Sequence, residues 1–342
     1  MGMITTIGLD IAKSVFQVHG IDADGDVMVR RKLARSRVLT FFEKLPRCLV
    51  GIEACNTSHY WARELIALGH DVRLMPAQYV KAYVKRGKND AADAEAICEA
   101  VTRPTMRFVA VKTPEQRSVM MLHRVRLMLN RQRTQLSNSI RAHMSEFGAV
   151  ASVGRMGLER LLAVVADQGD PRIPADARIC LQMLIAQLSV VKEQILENDR
   201  RLRESARKTE VGRRLMEIPS VGPLLASAFV ASVADPSVFK TGRDLAVWIG
   251  LVPKQNSSGG KERLGGISRA GNGYLRQMLV VGAMAGIRHG ERHGTKRAWL
   301  IQLLARGATK VAAVALANKT ARMVWALMTS GERYREPGIV SA

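Results

Sequence analysis

Acid is what this chain lacks: 30 Asp and Glu stand against 52 Lys and Arg in 342 residues, a formal net charge of +22. A surplus of that size points to a polyanionic partner, nucleic acid ahead of an anionic membrane surface. Long apolar runs are lacking too, and no stretch reads as long and apolar enough to span a bilayer, so no membrane partner is expected. The N-terminal MGMITTIGLDIAKSVFQ has neither an early basic region nor a small-residue cleavage site, which argues against a secretory signal. Cysteine is scarce. Cys48, Cys55, Cys98 and Cys180 form no C-x-x-C pair and have no histidine at zinc spacing, which excludes a disulfide scaffold or a zinc finger. They read as reduced thiols of a cytosolic protein.

The chain is long enough for two or three domains, and its 47% hydrophobic and 24% charged residues are those of a globular protein. Roughly the first 110 residues alternate strand and helix signals, an α/β pattern. ITTIGLDIA, VFQVHGIDA and VMVRRKLA read as strands, with DADGDV as a turn, and CLVGIEA as a short buried strand. ARELIALGHDVRLMPA reads as a helix ended at Gly69, then a strand ended at Pro76. From Thr113 the pattern turns helical. Thr113-Pro114-Glu115-Gln116 carries proline at the first helical position and a capping-box glutamine, and opens a helix to Phe147. Leu181, Leu184, Leu188, Val191, Ile195, Asn198 and Leu202 step by threes and fours. That spacing serves either a coiled-coil seam between chains or a helix packed within its own chain. Residues 211–235 read as helix, tight turn and helix, followed by a glycine-rich basic stretch and apolar helices to about Thr329.

Four acids stand out against this basic background. Asp10 sits within the first strand, where an ionised carboxylate is costly unless it meets a cation in a polar cleft. Glu53 closes CLVGIEA. Asp90 and Asp93, three apart on one helix face, lie inside the basic run KRGKNDAADAE with Lys85, Arg86 and Lys88. Four carboxylates converging on one point match a two-metal phosphodiester site, for which the hard, oxygen-preferring Mg²⁺ is the expected cofactor.

Three further features concern nucleic acid. L-x-x-I-P-S-V-G-P-L-L-A, around Pro219, resembles a helix-hairpin-helix that aims backbone N–H groups at phosphates, with Ser220 in place of the usual first glycine. In LVPKQNSSGGKERLGGISRAGNGYLRQ, glycines alternate with Lys254, Lys261, Arg263, Arg269 and Arg276, so either a phosphate-binding loop or a nucleophile at Ser257 or Ser258 fits. The helix over 117–141 carries Arg117, Arg124, Arg126, Arg131, Arg133 and Arg141 with almost no acid, which favours contact with a phosphate backbone; Arg124 and Arg131 are candidate contacts. His289-Gly290-Glu291-Arg292-His293 lacks the Glu directly after the first His that a zinc protease needs, and reads as a surface turn.

IGLDIAK, GIEA and KNDAADA together resemble the RuvC-like (ribonuclease H-like) domain of DEDD-type insertion-sequence transposases, the "IS-one-ten" family related to pilin-gene invertases. The stretch from IPSVGPLLASAF to GNGYLRQML is similar to that family's C-terminal transposase domain, and VAAVALANKTARMVWALM to its closing helix. The resemblance implies an α/β RuvC-like domain with the long basic helix at its end over 1–148, and a helical, coiled-coil segment over 149–208. A mainly α transposase domain with the helix-hairpin-helix-like element and the serine loop follows over 209–342. It implies a bacterial, cytoplasmic, nucleoid-associated DNA recombinase guided by a structured bridge RNA, with donor and target DNA as partners. It further implies that Asp10, Glu53, Asp90 and Asp93 bind Mg²⁺ and that Ser258 attacks DNA to form a phosphoserine link, with Ser257 as its adjacent competitor. Lys85, Arg86, Lys88, Arg124, Arg131, Lys254, Lys261, Arg263 and Arg269 would face nucleic acid, and homodimers would assemble into homotetramers, the carboxylates of one subunit serving the serine of another. A RuvC-like nuclease or junction resolvase with no covalent intermediate is the runner-up. A non-catalytic nucleic-acid binder and an actin-like sugar kinase sharing the strand aspartate explain fewer of these residues.

Overall fold

The computed structural model describes residues 3–84, 89–294 and 298–335. Lys85, Arg86 and Lys88 lie outside the described residues. Contacts divide the chain into two units, Met1–Pro114 with Val233–Lys240, and Glu115–Ser232 with Thr241–Ala342.

The first unit is built on β1 (Thr6–Ile11), β2 (Val15–Ile21), β3 (Val27–Ala34), α1 (Val38–Glu43), β4 (Leu49–Glu53), α2 (Ser58–Ala67), β5 (Asp71–Met75), α3 (Ala77–Val80) and α4 (Asp90–Val101). The sheet order is β3-β2-β1-β4-β5. β1, β2 and β3 run antiparallel while β4 and β5 run parallel to β1, the mixed arrangement of a ribonuclease H/RuvC-like sheet. Strand alternation sends Ile7, Leu9, Val50 and Ile52 to one face, where they are fully buried with Val38 and Phe42 of α1 and Trp61, Ala62 and Leu65 of α2.

The other face is shaped by two glycines. A Cβ on Gly8 would lie 2.1 Å from the Ala94 carbonyl oxygen and 2.4 Å from the Cys98 nitrogen; one on Gly51 would lie 2.8 Å from Val101 Cβ. The backbone of α4 therefore rests directly on β1, and its Val101 side chain on β4. Asn89 caps α4 by accepting from the Ala91 N–H at 3.0 Å.

The second unit holds α5 (Pro114–Glu146, of which Pro114 is counted with the first), α6 (Arg155–Ala166), α7 (Ala175–Lys208), α8 (Glu210–Met216), α9 (Pro223–Ser232), α10 (Gly242–Ile249), β6 (Pro253–Gln255), β7 (Leu264–Ile267), α11 (Gly273–His293), α12 (Ala298–Arg306) and α13 (Thr309–Ser330). Ile140 and Met144 of α5, Leu158, Leu161 and Val165 of α6, and Leu181 and Leu188 of α7 share one apolar cluster. Buried polar groups tie helices together. His123 Nδ1 lies 2.7 Å from Tyr274 Oη and its Nε2 3.0 Å from Ser227 Oγ, while Arg126 Nε donates to Asp199 at 2.5 Å. Burial and the neighbouring Arg126 push His123 down to about 4, so the ring is neutral.

Three sequence expectations change here. α7 is long and apolar enough, by length and composition, to cross a membrane, against the expectation that no stretch is; Lys192 and Glu193 interrupt the pattern in sequence. Its seam residues Leu181, Leu188, Ile195 and Leu202 are buried inside this single chain, as in a core-facing helix, which favours packing within the chain for that face. His289–His293 is the last turn of α11 rather than a surface turn, because the buried ladder Leu275, Leu279, Ala283 and Ile287 carries the helix through Gly290. Arg276 is engaged inside: its Nη1 donates to the Ile249 and Ala270 carbonyls.

The glycine seat of α4 yields a direct test. Gly8→Ala must push α4 off β1 and is expected to destabilise the fold by about 1–3 kcal/mol in chemical denaturation. A change within about 0.5 kcal/mol would refute the close-contact account.

Candidate active site

Glycine and acid alternate in the two strands that carry the predicted carboxylates. Gly8 and Asp10 lie two apart on β1, Gly51 and Glu53 two apart on β4, so each acid points to the face its glycine opens to α4. Leu9 pairs with Ile52 in the parallel register, which makes Asp10 and Glu53 next-door neighbours at the C-terminal ends of adjacent strands. Asp10 is thus the last-but-one residue of its strand rather than central to it. α4 crosses this face with Ala94 and Cys98 over Gly8, so its first turn, with Asp90 and Asp93, is the part that reaches the strand ends.

The electrostatics agree with that placement. Burial, then the charges of Asp93, Asp90 and Glu53, push Asp10 up to about 6. Burial and Asp93 likewise raise Glu53. None of the four has an ion-pair partner among the described residues. Among those residues no three His, Cys, Asp or Glu side chains stand close enough to hold an ion, so the coupling is electrostatic, short of a closed coordination sphere. The donor chemistry nonetheless fits a hard divalent cation: four carboxylates of one sign without ion-pair partners among the described residues.

Ser257 and Ser258 lie in the other unit, on a β-hairpin formed by β6 and β7. The glycine-rich stretch is therefore an ordered turn. Lys261 N donates to the Ser258 carbonyl at 3.1 Å, and the two residues between, Gly259 and Gly260, have φ of +57° and +76°. Two left-handed residues in a two-residue turn match the twist of a hairpin. The hairpin separates the two serines. Ser257 Oγ accepts from the Arg263 N–H at 3.3 Å and so helps hold the strands together. The Ser258 side chain is exposed at the edge of the turn and makes no hydrogen bond among the described residues.

Lys254, Lys261, Arg263 and Arg269 are all exposed on this hairpin and the segment after it, without ion pairs among the described residues. Arg124 and Arg131 are exposed on α5. Two other arginines of that helix are spent internally: Arg126 on Asp199, and Arg141 on the carbonyls of Ala151, Ser152 and Gly154. The His123–Tyr274–Ser227 network was not legible in sequence, since His123 lies 151 and 104 residues from its two partners and no local pattern marks the three to meet. At the helix-hairpin-helix, Ser220 adopts φ +78°, the left-handed backbone its usual glycine would take, and it abuts α11 where Gly282 and Gly286 leave room.

Comparison with known proteins matches both parts of the chain. Residues 7–148 match the model of the DEDD transposases of IS110 type, and residues 212–298 match the model described as the transposase IS116/IS110/IS902 family. The chain is 47% identical to "Probable family 20 transposase" of Pseudomonas aeruginosa, over 98% of this chain and 99% of that protein. It is 40% identical to "Transposase for insertion sequence element IS1111A" of Coxiella burnetii, over 97% and 92%. With "Transposase for insertion sequence element IS1328" of Yersinia enterocolitica it shares 37%, over 97% and 98%.

A raised carboxyl pKa costs stability where the group ionises. The Asp10 site is fully tolerated below the ordinary carboxyl range, and stability falls as pH rises from that range up to about 6, above which the loss is complete. With divalent ions chelated, the wild-type melting temperature should therefore drop between about pH 4 and pH 6.5 by more than that of Asp10→Asn. Parallel profiles in scanning fluorimetry would contradict the crowding of charge at this corner.

Proposed function

The chain belongs to the IS116/IS110/IS902 family of transposases, which cut and rejoin DNA, and from that premise we propose an RNA-guided recombinase that works through a serine ester. What carries the reading is that the chain has, in its first unit, four electrostatically coupled carboxylates without ion-pair partners among the described residues and, in its second, an exposed serine hydroxyl in a cationic hairpin.

Asp10, Glu53, Asp90 and Asp93 would hold Mg²⁺, which when bound supplies charge stabilisation to the attacking and leaving oxygens of phosphoryl transfer. Ser258 Oγ attacks the scissile phosphorus and gives up its proton. A new O–P bond forms, the old P–O bond breaks, and the departing deoxyribose oxygen takes a proton. A strand-end hydroxyl then attacks the phosphoserine and releases the serine. The number of phosphodiester bonds is conserved, so the exchange needs no external energy source. Ser257 is the weaker nucleophile candidate because its hydroxyl is engaged with Arg263 N–H. Lys254, Lys261, Arg263 and Arg269 neutralise the phosphates entering the hairpin, and Arg124 and Arg131 extend the cationic surface along α5.

The charge of +22 suits a structured bridge RNA as well as DNA, and the kinship with pilin-gene invertases belongs to the same reading. Homodimers pairing into tetramers, with the carboxylates of one subunit serving the serine of another, complete the proposal. The surface of α7 open to such assembly is the stripe of Ile179, Met183 and Val190, exposed by 51%, 61% and 52%, since the Leu181–Leu202 seam is already covered.

End-labelled donor DNA incubated with protein, magnesium and co-purified RNA should give a denaturation-resistant adduct, lost in Ser258→Ala and retained in Ser257→Ala. Asp10→Ala should lower adduct formation by at least about 100-fold, as removal of one group acting in the transition state does. Cleavage that persists in both serine variants with no adduct would favour the metal-dependent nuclease instead.

A further inference from the structure

We propose that a groove on the α1/α2 side of the first unit binds one unpaired nucleotide of a nucleic-acid strand. The inference builds on the reading of this protein as a DNA recombinase, and adds a site that the carboxylates and the serine do not explain. The groove has a volume of about 630 Å³, within the roughly 300–1,000 Å³ of ligand-sized clefts. Lys13 and Ser14 of the β1–β2 turn, Arg35 and Ser36 after β3, and Tyr60 and Trp61 of α2 line it. The Arg35 N–H donates to the Ser14 carbonyl at 3.0 Å, which locks the two turns into one wall.

Each part of a nucleotide has a matching group. Lys13 and Arg35 are exposed, have no ion-pair partner among the described residues, and converge without any acid in the lining, a setting for one phosphate. The guanidinium of Arg35 stacks over Trp61 at 5.0 Å and near Phe16 at 5.9 Å, so its plane is held in place. Tyr60, 44% exposed and edge-on to Trp61 at 5.2 Å, offers a ring on which a base can stack. Trp61 is only 3% exposed, yet its Nε1–H has no acceptor among the described residues. That nitrogen is itself buried, so Trp61 serves the groove as the rigid backing of Arg35 and Tyr60 rather than as a donor into it.

The groove opens at the same end of the sheet as the carboxylates, on the opposite face. Lys13 is three residues beyond Asp10, Arg35 follows the strand end that pairs with Val15, and α2 begins five residues after Glu53. A strand passing that end of the sheet places one residue in the groove while its neighbours run past the carboxylate corner. The position suits a base withdrawn from pairing beside the cut site. Phosphodiester-linked DNA and RNA share the chemistry recognised, and the test separates them.

The full-length protein is irradiated with single-stranded DNA carrying one 4-thiothymidine, or with RNA carrying one 4-thiouridine, then digested with trypsin. The expected adduct lies on the tryptic peptide 48–63, at Tyr60 or Trp61, and the arm that gives it identifies the strand. In fluorescence anisotropy, Tyr60→Ala and Arg35→Gln should each weaken oligonucleotide binding by about tenfold without changing the melting temperature. Lys13→Gln, on an exposed turn, gives the same readout should Arg35→Gln unfold. Oligonucleotides that bind tightly but crosslink only elsewhere, with all three variants at wild-type affinity, overturn the groove while leaving the recombinase reading intact. Failure of the wild type to bind either oligonucleotide overturns both.

Discussion

Everything in the first unit depends on how closely a helix lies on a sheet. α4 touches β1 and β4 through glycines, with Gly8 beneath Ala94 and Cys98 and Gly51 beneath Val101. Side chains at those positions would hold the helix further out and separate its first turn from the strand ends. With glycine there, the next residues on the same face, Asp10 and Glu53, come within electrostatic reach of Asp90 and Asp93. The packing decision and the functional geometry are thus one decision. It explains why two small residues sit in strands whose other faces are filled with Ile7, Leu9, Val50 and Ile52.

Much of this was legible in the sequence. Strand boundaries around IGLD and GIEA, the helix opened at Pro114 and ended before Gly148, and the helix pair around Pro219 follow from period, caps and breakers, which are local signals. The four acids were legible as charge out of place in a basic chain. The reason for their meeting was not, because the role of Gly8 and Gly51 appears only once α4 is laid across them. The serine hairpin shows the opposite failure. Its Gly259-Gly260 turn is a strong local signal, but the surrounding glycines made the whole stretch look like a loop. Gly290 misled in the same way: tertiary burial of Leu275, Leu279, Ala283 and Ile287 outweighs one helix-breaking residue.

The two basic helices divide their charge between structure and surface. Arg126 and Arg141 on α5 and Arg178 on α7 are consumed by Asp199 and by backbone carbonyls, so they brace helix ends and neighbouring helices. Arg200 and Arg201 pair with Glu197 on the exposed side of α7. Such exposed pairs contribute little to stability, but they lower the free positive charge of that face. What remains unpaired on α5 and the serine hairpin is the part of the surplus available to a polyanion. A raw count of arginines along a helix overstates its binding surface, because the count does not distinguish these two fates.

The acid corner then poses an electrostatic problem whose solution constrains any mechanism. On the proposed function DNA would bring further negative charge to a place where burial and the neighbouring acids already push Asp10 up to about 6. Bringing a phosphodiester to that corner without a counter-charge would add repulsion in a partly desolvated site, where it is screened least. The basic residues of the serine hairpin can neutralise phosphates along the strand, but a carboxylate ligand set opposite a phosphate calls for a charge lying between the two. On the proposed reading Asp10, Glu53, Asp90 and Asp93 would hold a divalent cation, which would supply that counter-charge. On this reading the chain's scarcity of acid and the gathering of four acids without ion-pair partners among the described residues are parts of the same design. On the proposed function, positive charge spread over the surface would collect nucleic acid, and the carboxylates at one end of the sheet would mark where it is cut.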